Sequence, residues 1–123
     1  MFEDFERILK KDKRYKLEAY TFVLSALNYT LNKIGTKRHL TGQELLLGIK
    51  DLAKEQYGLM AKEVLAHWGV HETIDFGHIV FNLIEAKLLS KTDEDKLDDF
   101  KDVYDFNEAF VKDYSIAKEA EEE

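Results

Sequence analysis

Apolar residues recur at three- and four-residue spacings along most of the chain, which is the pattern of amphipathic α-helices. The longest such stretch covers about residues 13–34 and predicts a central helix. Its inward-facing positions are Tyr15, Ala19, Phe22, Ala26 and Tyr29. Gly35 follows the last apolar position and is predicted to end this helix, because the chain has no proline and glycine supplies most of its helix breaks.

The next helix has a recognisable start and stop in "KRHLTGQELLLGIKDLAKEQYG", residues 37–58. Thr41 and Glu44 fit a capping box, in which the threonine hydroxyl accepts from the Glu44 amide and the Glu44 side chain accepts from the Thr41 amide. Gly58 is the predicted end. Gly48 lies inside the helix, where glycine costs about 1 kcal/mol relative to alanine, so we expect another helix to cross closely there.

Two further helices are predicted before residue 90. The first covers about residues 59–68 and ends at Gly69. The positions predicted on its inner side are Met60, Val64, Leu65 and Trp68. The second begins with Thr73 or Asp75 as its N-cap and ends near Leu89. Its predicted core positions are Phe76, Ile79, Val80, Leu83 and Ile84.

The segment from residue 89 to residue 104 is ambiguous. "LLSKT" and "FKDVYDF" flank the polar "DEDKLDD", which is compatible with a short β-hairpin, although no Asn-Gly or Asp-Gly turn is present. A short acidic helix is the alternative. Asp105 and Glu108 predict one more capped helix, to about Ala117.

These elements predict a mainly α fold. We expect a compact single-domain bundle of about five to six helices over residues 1–117, with at most one short β-hairpin near residues 89–104. A winged-helix-like arrangement is the alternative architecture. Residues 118–123 are predicted to be a frayed acidic C-terminal tail.

Composition narrows the class of protein. The chain has 123 residues, 45% hydrophobic and 35% charged, which fits one globular domain with a charged surface. It has no cysteine, so disulfides, thiolate nucleophiles and cysteine-ligated metals are excluded. Charged residues interrupt the apolar positions of residues 1–14, which disfavours a signal peptide or a membrane span. A cytoplasmic location without membrane association is therefore expected.

Charge is unevenly distributed along the chain. The net charge is −7, and residues 93–123 hold 13 acids against 4 bases, or −9, which leaves +2 for residues 1–92. Within residues 7–38, nine bases face two acids, or +7. Such asymmetry can mark a nucleic-acid face, but in a charged protein it more often reflects solvated surfaces that attract each other.

Several stretches carry a resemblance to a known family. "RYKLEAYTFVLSALNYT", "RHLTGQELLLGIKDLA", "HWGVHETIDFGHIVFNLIEAKLLSKT" and "DEDKLDDFKDVYDF" resemble a family of small bacterial proteins of similar length, over about residues 13–110. That family has no assigned activity, so the resemblance implies membership and no chemistry. Locally, "ELLLGI" followed by "GLMAKEVLAHWGV" is similar to the helix pair in the N-terminal adaptor- and substrate-binding domain of Clp-type ATPases. That domain has two copies of the unit and this chain has one, so no residue roles are carried over.

Some motifs invite an enzymatic interpretation. "DFG", residues 75–77, matches the magnesium-binding triplet of protein kinases, but the glycine-rich loop, strand lysine and catalytic-loop aspartate are missing. His78 with Asp75 or Glu85 would be an acid–base couple only inside a pocket. No nucleophile elbow, Walker loop or dinucleotide-binding glycine motif is present. Catalysis and a bound cofactor therefore have no positive support in the sequence.

A metal site is the remaining catalytic candidate. Glu63, His67 and His71 recur every four residues, a spacing that would align three zinc ligands on one helix. Gly69 interrupts that helix before His71. A metal-assisted hydrolase is therefore the third-ranked function, and surface histidines are the expected interpretation.

The sequence does not determine the function. The best guess is a small cytosolic, adaptor-like protein-interaction module without catalytic activity, which binds a protein partner or itself. Lys37, Arg38 and His39 have no visible structural role and are candidates for partner binding. Trp68 is a further candidate if it is exposed beside Gly69. If it is buried, we expect it to pack against Phe76 or the central helix.

A winged helix-turn-helix that binds nucleic acid is the alternative function. Residues 75–89 would form its recognition helix, but Lys87 is their only base, so this helix would repel phosphates. If nucleic acid binds, the expected face is residues 10–16 together with Lys37 and Arg38. Nucleic acid is thus a disfavoured partner.

Overall fold

The described part of the chain contains five α-helices, of which α3 and α5 both pack against α2. The computed structural model describes residues 2–35, 38–90 and 96–112. The helices are α1 (Phe2–Lys11), α2 (Leu17–Ile34), α3 (Gly42–Tyr57), α4 (Ala61–His67) and α5 (Thr73–Glu85). Two 3₁₀ turns, Gly58–Met60 and Leu97–Phe100, and a π-helical turn, Glu108–Lys112, complete the described structure. The described residues contain no strand, so the predicted mainly α class is confirmed.

Helix α2 supplies the centre of the core. Its buried side chains are Ala19, Tyr20, Phe22, Val23, Ala26 and Thr30. Gly35 ends the helix as predicted, in a left-handed conformation (φ 84°) that costs glycine little, and its amide donates to the Leu31 carbonyl. The predicted start near residue 13 is wrong, because residues 12–16 form a link between α1 and α2 in which Tyr15 is nevertheless buried.

The start of α3 and its crossing with α2 agree with the prediction. Glu44 and Thr41 form both hydrogen bonds of the capping box, with amide-to-side-chain distances of 3.1 Å to the Thr41 hydroxyl and 3.0 Å to the Glu44 carboxylate. A Cβ atom at Gly48 would lie 1.7 Å from Thr30 Oγ1. The missing side chain therefore allows the close approach of the two helices.

The α4 region ends as predicted but differs in its inner face. Gly69 follows the helix with φ 94°, and Ala61, Leu65 and Trp68 are buried. Met60 was predicted to face inward, yet it is 54% exposed. The reason is that Gly58–Met60 forms a separate 3₁₀ turn, so the α-helical register of this face begins only at Ala61.

The N-cap of helix α5 is neither of the two predicted residues, Thr73 and Asp75. Glu72 is the N-cap residue, and the Asp75 carboxylate accepts from the backbone amides of His71 (2.8 Å) and Glu72 (3.0 Å). Thr73 is buried, and its hydroxyl donates to the Phe100 carbonyl at 2.6 Å, so it cannot serve as a helix cap. The helix ends at Glu85 rather than near Leu89.

The short β-hairpin that the sequence permits near residues 89–104 is not found in the described part of that segment. Leu97–Phe100 forms a 3₁₀ turn with local bonds, as the alternative of a short acidic helix predicts, and residues 91–95 lie outside the described residues. The physical reason is the anchoring of this segment to α5. The Thr73 hydroxyl binds the Phe100 carbonyl and accepts from the Val103 amide at 3.1 Å, which takes up backbone groups that a strand would need.

The last described helix begins where the sequence predicts. The Asp105 carboxylate accepts from the Glu108 amide at 3.1 Å, which caps the turn before Glu108–Lys112. The predicted helix end near Ala117 and the acidic tail at residues 118–123 lie outside the described residues. None of the described helices is both long enough and apolar enough to cross a membrane.

Candidate functional site

An apolar groove opens between α2, the N-terminus of α3 and α5. Its cavity volume is about 210 Å³. In the part of the chain that the structure describes, nine apolar side chains line it: Leu27, Leu31, Leu40, Leu45, Val80, Phe81, Ile84, Leu89 and Phe100. Five of these are only partly buried, so the groove presents apolar surface to solvent: Leu27, Leu31, Phe81, Ile84 and Leu89. An exposed apolar concavity of this kind is typical of a binding site.

Two of the predicted partner-binding residues lie at this groove. Arg38 and His39 are exposed and line it, together with the polar residues Thr41 and Ser90. Lys37, the third member of that predicted cluster, lies outside the described residues. The groove therefore brings part of the predicted basic cluster next to apolar surface that the sequence did not reveal.

Arg38 has a structural role that the sequence analysis missed. Its guanidinium donates to both carboxylate oxygens of Glu44, at 2.9 Å and 2.5 Å, and to the His39 carbonyl at 3.1 Å. This fork-to-fork geometry fixes the orientation of the guanidinium as well as its position. The expectation that Arg38 is free of structural duty is thus wrong.

Glu44 joins the groove rim to the start of α3. Its carboxylate accepts from Arg38 and from the Thr41 amide of the capping box. The Arg38 guanidinium, followed by the Thr41 amide, lowers the pKa of Glu44 from its ordinary value of 4.5 to about 2. A single carboxylate therefore holds both the helix start and the orientation of the basic rim.

We expect this carboxylate to make stability depend on pH in acid. A carboxyl group whose pKa is lower in the folded chain stabilises the fold above its unfolded pKa, and this stabilisation is lost as the pH falls. The free energy of unfolding should therefore decline between about pH 4.5 and pH 2, and Glu44→Gln should remove part of that decline. Urea unfolding at a series of pH values measures the effect. Glu55→Gln, at an exposed position of the same helix, is the matched control, and equal pH slopes for the two variants would contradict the prediction.

Phe100 forms one wall of the groove and depends on two glycines. A Cβ atom at Gly42 would lie 3.0 Å from the Phe100 ring, and one at Gly77 would lie 2.8 Å from Phe100 Cβ. These glycines allow the Leu97–Phe100 turn to pack directly on α3 and α5. Gly77 belongs to the "DFG" triplet, which here lies within α5 and has this packing role.

Trp68, the fourth predicted partner-binding residue, lies in the core at 8% exposure. Its ring packs 5.5 Å from the Phe22 ring of α2 and 5.8 Å from the Tyr57 ring, measured between centroids. The expected packing against the central helix is confirmed. Trp68 does not line the groove, and its burial argues against the role of an exposed binding aromatic.

The residues considered for metal binding are not brought together. His67 is the last residue of α4 and has its Nε2 atom 3.3 Å from Lys16 Nζ, whereas His71 lies beyond Gly69 and donates its amide to Asp75. Glu63 is exposed in the first turn of α4. Within residues 2–35, 38–90 and 96–112, no three histidine, aspartate or glutamate side chains form a group that could hold a metal ion.

Asp75 does not pair with His78 in the described structure. Its carboxylate instead accepts from the Tyr15 hydroxyl at 2.7 Å, in addition to the two backbone amides at the start of α5. Burial, together with this carboxylate, raises the pKa of Tyr15. The hydrogen bond joins the α1–α2 link to α5, which is a structural role for Asp75.

A second polar cluster fixes the same link. The Asp12 carboxylate accepts from the Arg14 guanidinium at 2.7 Å and 2.9 Å, and from the Asn82 amide at 2.9 Å. The same Asn82 amide donates to the Tyr20 hydroxyl at 3.0 Å. Chiefly through Arg14, these contacts hold the pKa of Asp12 well below its ordinary value. The cluster ties the end of α1 to α2 and α5.

Many of the basic side chains in residues 7–38 form ion pairs. Five of the nine bases contact a carboxylate among the described residues. The pairs are Arg7 with Asp4, Lys11 with Glu85, Arg14 with Asp12, Lys33 with Asp51 and Arg38 with Glu44. The local excess of positive charge is therefore partly neutralised in the folded chain, which weakens the argument for a nucleic-acid face.

Comparisons with protein-family models, curated proteins and solved structures found no match for this chain.

Proposed function

We propose that this chain is a small helical protein-interaction module, adaptor-like and without catalytic activity, that binds a protein partner through the groove between α2, α3 and α5. The single observation that carries the proposal is the apolar lining of the groove, much of which remains accessible to solvent. Burying such surface against a partner is favourable by about 25 cal/mol for each Å² removed from water.

The local likeness to the Clp-type N-terminal domain supports the same class of function, because that domain binds adaptors and substrates. Membership of the small bacterial family stays part of this proposal and adds no chemistry to it. A cytoplasmic location agrees with such a module and is likewise proposed.

The nucleic-acid alternative has less support. Lys11 and Arg14, in the basic stretch at residues 10–16, are engaged by Glu85 and Asp12. The wing of a winged helix would fall near residues 89–104, where the described part contains a 3₁₀ turn. Nucleic-acid binding therefore ranks second, and loss of the crosslink on nuclease treatment in the experiment below would support it.

Photocrosslinking in the native cell tests the proposal. A benzophenone amino acid replaces Ser90 at the groove rim, and in a control protein it replaces Ser25, which is exposed on α2 and does not line the groove. We expect the Ser90 probe to crosslink one partner protein, and the crosslink to survive nuclease treatment. The Ser25 probe should not capture that partner.

Groove variants complete the test. Leu31→Glu should abolish the Ser90 crosslink, because it places a charge on the apolar surface, and Leu89→Glu gives a second variant should the first fold poorly. Circular dichroism checks that each variant keeps its helices. Equal capture by the Ser25 probe, loss of the crosslink on nuclease treatment, or no crosslink at all would each count against the proposal.

A further inference from the structure

The described polar lining of the groove carries one fixed positive charge, that of Arg38. Among the described residues, the polar side chains that line the groove are those of Arg38, His39, Thr41 and Ser90, and each of them can donate a hydrogen bond. No aspartate or glutamate is among the described lining residues. A groove with this rim favours an anionic ligand group over a cationic one.

The apolar part of the groove limits the size of what can enter. Its volume is about 210 Å³, and an apolar cavity of about 150 Å³ is known to hold one benzene molecule. The space therefore suits one large apolar side chain, aromatic or branched, and is small for a long acyl chain. Taken together with the rim, this describes a ligand with an apolar group beside a carboxylate.

The ion pair between Arg38 and Glu44 affects how a ligand carboxylate could bind at the rim. Both of its terminal nitrogens donate to Glu44, so the donors best suited to a ligand carboxylate are already engaged by a carboxylate of the chain itself. Glu44 is held in turn by the Thr41 amide. The Arg38 guanidinium is therefore held in a fixed orientation at the rim, and the Glu44 carboxylate occupies the place that a ligand carboxylate would take.

We propose that the groove binds a segment of a partner protein in which a large apolar residue is adjacent to Asp or Glu, and that the partner's carboxylate displaces Glu44 from Arg38. This inference rests on the proposed function. After the exchange, Glu44 keeps its hydrogen bond from the Thr41 amide, so the start of α3 is preserved. Glu44 thus acts as an internal competitor that weakens binding of the partner segment.

Competition between Glu44 and the ligand carboxylate predicts that substitutions of Arg38 and Glu44 have opposite effects on binding. Arg38→Gln removes the group that binds the ligand carboxylate, so it should weaken binding of an acidic segment. Glu44→Gln removes the competitor and should strengthen it. Glutamine also completes a capping box, which makes Glu44→Gln a conservative change for the helix start.

Binding of defined peptides to the full chain provides the test. The probes are two acetylated, amidated tetrapeptides, Gly-Asp-Phe-Gly and Gly-Asn-Phe-Gly, titrated into methyl-labelled protein and followed by NMR. The groove methyl groups of Leu31 and Val80 report binding, and those of Leu47, which is 52% exposed and does not line the groove, serve as the internal control.

We expect both peptides to shift the groove methyl groups, with the acidic peptide binding about fivefold more tightly, the upper end for a solvent-accessible ion pair. Arg38→Gln should abolish this difference. Glu44→Gln should tighten binding of the acidic peptide about threefold and leave the Asn peptide unchanged. Thermal unfolding of both variants checks that the fold is retained.

The outcomes separate the two proposals. Equal binding of the two peptides, or a Glu44→Gln variant that binds both as the unmodified chain does, would overturn the displacement of Glu44 and leave apolar docking in the groove intact. If neither peptide shifts the groove methyl groups, apolar docking fails and the inference with it. Decanoate, titrated in the same way, is a third probe that represents a free carboxylic acid. If decanoate binds more tightly than the acidic peptide, the groove is assigned to a free carboxylic acid and the inference is overturned.

Discussion

Replacing Trp68 with alanine should destabilise the fold by about 3–5 kcal/mol, the usual cost of truncating a buried Trp or Phe side chain. Trp68 is 8% exposed and packs against the rings of Phe22 and Tyr57, which also contact each other. Truncation would remove both aromatic contacts and leave a cavity between α2 and the end of α4. Urea unfolding followed by circular dichroism, rather than tryptophan fluorescence, measures the loss.

The variant Trp68→Phe distinguishes the loss of aromatic packing from the loss of side-chain volume. Phenylalanine keeps one aromatic ring against Phe22 and Tyr57, so its cost should be clearly smaller than that of alanine. A near-neutral Trp68→Ala would contradict the burial of this side chain and would restore it as a candidate for partner binding.

Local sequence patterns predicted much of the helical architecture. The Thr41–Glu44 capping box and the Gly35 stop depend on residues within a few positions of each other, so composition and spacing are enough to identify them. The close crossing at Gly48 was predicted from the cost of glycine inside a helix, although its partner, Thr30 of α2, could not be named.

Contacts between residues far apart in sequence were not predictable in this way. Gly42 and Gly77 resemble ordinary helix positions until the fold places Phe100 against both. The Thr73 hydroxyl suggests a helix cap, but its partner is the carbonyl of Phe100, 27 positions later. Such pairings depend on how helices are arranged in space, which hydrophobic periodicity alone does not specify.

In the candidate site too, local features could be predicted from the sequence and long-range contacts could not. The exposed cluster at Arg38 and His39 was identified from the sequence, but the apolar groove beneath it comes from three helices and the Leu97–Phe100 turn. The structural role of Arg38 was missed because its partner, Glu44, already had a role in the predicted capping box. The capping box accounts for this glutamate completely at the level of sequence, so a second interaction of the same carboxylate has no separate signal.

Replacing Gly69 with alanine should also cost a large share of the folding free energy, about 2–5 kcal/mol. Gly69 has φ 94°, where an L-residue pays about 1–2 kcal/mol. A Cβ atom there would also lie 2.1 Å from the backbone oxygen of Arg14. That oxygen is part of the α1–α2 link, which the Lys16 amide fastens to the Trp68 carbonyl at 3.1 Å. Because backbone on both sides must move, we add about 1–3 kcal/mol for overpacking.

Gly35→Ala is the matched control for this prediction. Gly35 has φ 84°, close to that of Gly69, but a Cβ atom there would meet no atom of the described residues within 4 Å. Gly35→Ala should therefore cost only the backbone strain of about 1–2 kcal/mol, and the excess cost of Gly69→Ala measures how tightly the α1–α2 link crosses the end of α4. Urea unfolding of both variants gives the two values. Equal losses would show that this crossing is looser than the contact between Gly69 and Arg14 implies.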